Sequence, residues 1–293
     1  MFYRQKVLLA LIEEFGGQLA STDLQKMLFL FCQLTNQNHY DFFPYTYGAF
    51  SFTSYYDKRK LIERGLLKDS GNFELNKPGS YIGQIETTDR IKLRAFISKF
   101  RQIGGQELIR KTYLEYPAYV ARSEIADTIL TKQEYNTVSS FWNTSTETVL
   151  FTIGYEAITI DQYLYKLIAN NVNTLVDVRK NPFSRKHGFT QKEMKDYVEK
   201  AGIRYFHLPE LGISSHLRKD LTSVDSYKLL FEHYTKEILP LQQQALATLK
   251  EWIVQFNRVA ITCFEADPLM CHRHKIAELL EHDESLGVLV RHI

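Results

Sequence analysis

Residues 149–178, VLFTIGYEAITIDQYLYKLIANNVNTLVDV, decide the fold. Val149 to Ile153 is a short apolar run, Ile160 to Ala169 carries apolar residues at helical spacing, and Thr174 to Val178 is a second short apolar run. Strand, helix and strand within one such stretch make a βαβ unit, whose two strands run parallel. The alternation continues downstream. The pattern predicts a helix from Lys192 to Ala201 and a strand from Tyr205 to Leu208. A helical region from Ser226 to Gln255, interrupted near Pro240, leads to a strand from Arg258 to Thr262. A helix from His272 to Glu281 and a last strand from Gly287 to Arg291 complete the series. Residues 149–293 therefore read as an α/β domain, a mostly parallel sheet sandwiched between helices.

Upstream the pattern is different. Val7, Leu8, Leu11, Ile12 and Phe15 predict a helix over residues 2–15, stopped by Gly16-Gly17. Thr22-Asp23 opens a second helix through Leu34, and the aromatic stretch from Tyr40 to Phe52, with Pro44 and Gly48, reads as extended or looped. A third helix runs from about Ser54 to Arg64. Asn72 to Leu75 and Tyr81 to Thr87 then read as two strands around the turn Asn76-Lys77-Pro78-Gly79. Three helices followed by a hairpin give the order of a winged helix-turn-helix, here residues 1–136. Ile91 to Tyr113 adds further helix, and the polar stretch 137–148 reads as the linker.

The whole chain has 293 residues, 44% hydrophobic and 24% charged, with a net charge of +2. Such a composition excludes disordered, collagenous and low-complexity classes, and the length favours two domains. No apolar run approaches the roughly 18–20 residues of a membrane span, and the start of the chain lacks the features of a signal peptide. Cys32, Cys263 and Cys271 are too few for a disulfide framework. The expectation is a soluble cytoplasmic protein with no membrane partner and an oligomeric state that the sequence leaves open. Charge is distributed unevenly: Tyr55 to Lys111 holds 13 Lys or Arg against 7 Asp or Glu. A basic third helix and wing suit phosphate contacts, with Lys58, Arg59 and Lys60 as candidate DNA-binding residues.

In a parallel sheet, ligands bind beyond the carboxyl ends of the strands. The polar residues that stand out collect there: Tyr155 and Glu156 after the first strand, Asp177, Arg179, Ser184 and Arg185 after the second, Glu210 after the third, and Cys263 and Glu265 after the fourth. Cys271, His272 and Arg273 follow at a predicted helix start. Cys263 does not fit a phosphatase-type cradle, because the residue six positions on is Leu269 rather than Arg. Sulfur transfer through Cys263 or Cys271 stays open, although packing is the commoner use of such a Cys. Cys263, Cys271, His272 and His274 match none of the paired spacings of structural zinc, and neighbouring positions such as 271 and 272 on a helix diverge. The reading is no metal and no cofactor.

The motifs TIGYE (152–156), LVDVRKNPFSRK (175–186), GIRYFHLPELG (202–212) and ITCFEADPLMCHRHKIAELL (261–280) resemble the bacterial family known as domain of unknown function 488. Tyr155-Glu156 stands where that family most often has a His-Ser type pair. The N-terminal TDLQKMLFL (22–30) and YDFFPYTYGAFS (40–51) resemble the winged-helix-like segment fused to some members. The resemblance implies a shared fold and site, and some relatives are linked to excision of nucleotides or modified bases in phage defence.

Carboxylates beside arginines suit a site that grips phosphate and stabilises an oxocarbenium-like transition state. The expectation is a DNA glycosylase-like hydrolase acting on a nucleotide flipped out of double-stranded DNA. Asp177 and Glu265 are its catalytic carboxylates. Arg179, Arg185 and Arg273 bind phosphate, Glu210 and His272 support or read the substrate, and Tyr155 and Phe264 stack on the base. The loop from Arg179 to Lys195 has six basic residues against one acid, Lys186 among them as a further DNA contact. The alternative is a winged-helix transcription regulator whose α/β domain senses a nucleotide-like ligand without catalysis.

Overall fold

A computed structural model describes residues 1–218 and 224–293. The chain forms two compact units, Met1–Trp142 and Asn143–Ile293.

The first unit begins with α1 (Tyr3–Glu14), β1 (Gln18–Leu19) and α2 (Ser21–Thr35). The Gln5 side chain returns to the Phe2 amide to close the start of α1, and Asn36, at φ 50°, ends α2. The aromatic stretch becomes a hairpin, β2 (Phe43–Tyr45) and β3 (Gly48–Phe50), followed by α3 (Phe52–Glu63). Ser51 caps α3 by accepting the Ser54 amide at 3.2 Å. Then come β4 (Phe73–Glu74), α4 (Thr87–Phe100), α5 (Gly105–Glu115), α6 (Ala126–Ile129) and α7 (Lys132–Ser139). Leu8, Leu11, Leu24, Leu28, Phe31, Leu93 and Phe100 are fully buried at the centre.

Two sequence expectations are corrected here. The strand expected from Tyr81 to Thr87 is a 3₁₀ turn, Ile82–Gln84, running into α4. Tyr81 and Ile85 are both drawn into the core, and the Ile82 amide donates to Glu13 at 2.7 Å, so this backbone is not free for a ladder. The hairpin forms earlier. Leu67 bridges Leu75, the Lys68 amide donates to Glu74, and β4 pairs antiparallel with β1. The polar stretch 137–148, in turn, begins inside α7. A Thr131/Glu134 capping box starts that helix, Val138 is buried, and Trp142 donates from Nε1 to the Pro117 carbonyl.

The second unit is the expected α/β domain: β5 (Val149–Gly154), α8 (Ile160–Ala169), β6 (Thr174–Asp177), α9 (Gln191–Lys200), β7 (Arg204–His207), α10 (Val224–His233), α11 (Gln243–Phe256), β8 (Arg258–Cys263), α12 (Arg273–Glu281) and β9 (Leu289–His292). The five strands are all parallel, in the order β7-β6-β8-β5-β9. Every residue of β5 and β8 is buried, as expected of strands covered on both sides. Along β8, Val259 and Ile261 join Leu249, Ile253, Ile276 and Leu280 in one core, and Ala260 and Thr262 point to the opposite side. Parallel pairing brings the carboxyl ends at Gly154, Asp177, His207 and Cys263 to one edge of the sheet.

No helix among the described residues is long and apolar enough to cross a membrane.

Candidate functional site

The carboxyl edge is built on a buried ion pair. Asp177 and Arg179, two positions apart at the end of β6, share one side of the strand. Asp177 is fully buried, and Arg179 is 3% exposed. Arg179 donates from Nε to Oδ1 at 2.8 Å and from Nη2 to Oδ2 at 2.6 Å. The Arg179 amide and the Tyr205 hydroxyl complete the shell of the carboxylate. Nη1 of Arg179 reaches the Tyr155 hydroxyl and the Phe189 carbonyl, both at 2.8 Å. Burial alone would lower the affinity of this guanidinium for its proton, but Asp177 outweighs it and holds the group charged. Burial also raises the tyrosines at this edge, Tyr155 and Tyr205.

Several assigned roles change as a result. Asp177 has no open face for a substrate, so it is a structural anion rather than a catalytic carboxylate. Arg179 spends its donors on protein atoms and does not grip a phosphate. Tyr155 is buried and stacks on Phe189, with ring centres 4.4 Å apart, so it is unavailable to a base. Arg273, 1% exposed, donates to the Glu265 and Ala266 carbonyls and fixes the loop after β8 instead of holding an anion. Lys186 reaches back to the Tyr155 carbonyl at 2.7 Å. In the first unit, Lys58 is buried with its Nζ on the Ser70 carbonyl and above the Phe73 ring. Both lysines fasten loops in this structure.

Other expected residues remain at the surface. Glu210, Arg185 and Arg59 are exposed. Lys60, half-buried, pairs with Glu63, and Ser184 accepts the Lys186 amide. Glu156 accepts the Ala266 amide at 3.0 Å and ties the β5 loop to the β8 loop.

The loop after β8 carries the chemistry. Its backbone lies against Gly154: a Cβ there would stand 1.8 Å from the Glu265 carbonyl oxygen. Gly154→Ala should therefore push the loop off the sheet and cost about 1–3 kcal/mol, the usual range for overpacking. Thermal unfolding checks this, and an unchanged midpoint would contradict the contact.

Glu265 is partly exposed, with Oε1 3.8 Å from Arg218 Nη1 and Oε2 3.5 Å from the Cys263 thiol. Phe264 beside it is 41% exposed and meets the Tyr155 ring edge-on. Sequence reasoning missed Arg218, which lies far along the chain from any strand end, and His207, whose Nε2 meets the Arg179 carbonyl. The position of His207 as the last residue of β7 was a signal for it.

Beneath Glu265 sit Cys263, Cys271 and His272, at most 2% exposed. His272 Nδ1 is 3.7 Å from Cys263 Sγ and 4.0 Å from Cys271 Sγ. The divergence expected of residues 271 and 272 does not occur, because Cys271 is extended (φ −137°, ψ 138°) and α12 starts only at Arg273. Burial, followed by the neighbouring Cys263, pushes the Cys271 thiol well up. A groove of about 330 Å³ is lined by Phe231, Thr235, Lys236, Leu269, His274 and Lys275 among others, and by none of Cys263, Glu265, Cys271 and His272.

No curated protein and no solved structure matches the chain. Residues 159–280, which run from the cap of α8 through most of α12 and contain both the ion pair and the thiol–imidazole cluster, match the family described as domain of unknown function DUF488.

Proposed function

We propose that the protein is a DNA-acting hydrolase that releases a plain or modified base by N-glycosidic cleavage, in the setting of phage defence, with Glu265 as its catalytic carboxylate. The observation that carries this reading is the juxtaposition at the carboxyl edge of an accessible carboxylate, Glu265, with the exposed ring of Phe264. A base can stack on Phe264 while Glu265 faces the sugar, stabilises its developing positive charge and orients water. Lys180, Arg185 and Lys192 are exposed on the loop after β6 and supply cations for the flanking phosphates.

The first unit supplies DNA binding in this proposal. Its order α1, β1, α2, α3 and then an antiparallel hairpin over residues 66–76 supports a winged helix, with the wing earlier in the chain than the sequence suggested. Arg59 and Lys60 on α3 are its cationic contacts, Arg59 exposed and Lys60 half-buried. The partner is duplex DNA with one nucleotide flipped out.

The test is incubation with plain and base-modified phage DNA, followed by alkali and by mass spectrometry of released bases. Breaks that need alkali, together with a free base, are expected. Glu265→Gln should slow release by roughly 10²–10⁴-fold and leave the gel shift intact. An unchanged rate in that variant would overturn the assignment. DNA left intact beside a persistent gel shift would favour the ligand-sensing regulator.

A further inference from the structure

The thiol–imidazole cluster has a geometry that the hydrolytic reading does not require. Cys263 at the end of β8, Cys271 after the 3₁₀ turn Pro268–Met270, and His272 at the cap of α12 bring three ligand atoms within 4.8 Å of one another. Tetrahedral zinc, with Zn–S near 2.3 Å and Zn–N near 2.0–2.1 Å, sets its ligands about 3.5–3.8 Å apart. The observed S···N separations of 3.7 and 4.0 Å need little closure.

The imidazole is also oriented for a metal. Its Nε2 lies 3.2 Å from the Val178 carbonyl, which can only accept, so the proton resides on Nε2. The Nδ1 lone pair then faces the two sulfurs. A ligating His that donates its other ring N–H to a backbone carbonyl is the usual outer-shell support of a zinc site. The supporting backbone is fixed as well, since Arg273 holds the Glu265 and Ala266 carbonyls and Glu156 holds the Ala266 amide.

We propose that Cys263, Cys271 and His272 bind one zinc ion, with Glu265 bordering the fourth position. Two thiolates and an imidazole are soft and borderline donors that favour zinc over calcium or magnesium. Glu265 Oε2, 3.5 Å from Cys263 Sγ, lies beside the place that a water or a fourth ligand takes. The expected absence of a metal rested on the lack of paired zinc spacing and on the divergence of residues 271 and 272; the second premise fails here, because Cys271 is extended and α12 starts at Arg273.

The experiment is metal analysis of the full chain purified without chelator, then exchange of the bound ion for cobalt. About one zinc per chain and a thiolate-to-cobalt charge-transfer band are expected. Cys263→Ser and His272→Ala should each weaken or remove the band. If either variant fails to fold, cobalt titration of the metal-free parent decides. A parent with no bound metal and no cobalt band overturns the site, as does recovery of a Cys263–Cys271 disulfide from protein kept under reductant. Zinc without base release would leave this site standing and overturn the hydrolytic reading. Base release at full rate by a protein that takes up no metal would do the reverse.

Discussion

Asp177→Ala should destabilise the second unit by about 3–5 kcal/mol, the loss typical when one partner of a buried ion pair is removed. Asp177 accepts from Arg179 Nε, Arg179 Nη2, the Arg179 amide and the Tyr205 hydroxyl. Without it, Arg179 would keep the Tyr155 hydroxyl and the Phe189 carbonyl, but its charge would be buried with no counter-ion. Asp177→Asn should cost less, because the shape survives, yet its amide hydrogens would face donors. The measurement is urea unfolding of the full chain, followed by a probe in the second unit. Asp177→Ala combined with Arg179→Met should regain part of the loss, since the stranded charge is then gone. A single variant that lost activity at full stability would restore Asp177 as a catalytic group.

That contrast marks what the sequence could carry. The strands at 149, 174 and 258 were legible because each holds a short apolar run, and the one at 204 was legible from the aromatic pair Tyr205-Phe206 between polar neighbours. The helix from Ile160 to Ala169 was legible from its 3.6-residue period and its Thr159 cap. The order β7-β6-β8-β5-β9 was not, because hydrophobic runs of similar composition do not say which neighbours pair. The carboxyl edge was found by rule, but the roles of its residues were not. An Asp and an Arg two positions apart on a strand share a face, which foretells their mutual neutralisation and removes both from the substrate list. Cys271 and His272 were misread for a local reason. The helix was started at His272, whereas Pro268 opens a separate 3₁₀ turn and leaves Cys271 extended. The strand expected from Tyr81 to Thr87 does not form because Tyr81 and Ile85 have the apolar spacing of a strand but serve the core of the first unit.

Lys26 offers a test of that core. It lies on α2, 1% exposed, with Nζ donating to the Ala49 carbonyl at 2.8 Å. Burial lowers its pKa to about 7, against about 10.4 for a free lysine. The unfolded chain therefore binds more protons than the folded one between those values, and stability should rise with pH across that window. From pH 7 to about 8.5 the gain should approach 2 kcal/mol, at about 1.4 kcal/mol per pH unit. Above that range the buried thiol of Cys32, raised to about 12 by burial, works in the opposite direction, since its unfolded form ionises first. Lys26→Met keeps the length and apolar bulk of the side chain and removes the amine, at the loss of one hydrogen bond of about 1 kcal/mol. The variant should be more stable than the parent at pH 7, and the advantage should shrink as the pH rises. Unfolding curves for both proteins at pH 7 and pH 8.5 check this, because the difference between the two isolates Lys26 from every other titrating group. Parallel shifts would mean that the amine is solvated or paired in the folded state.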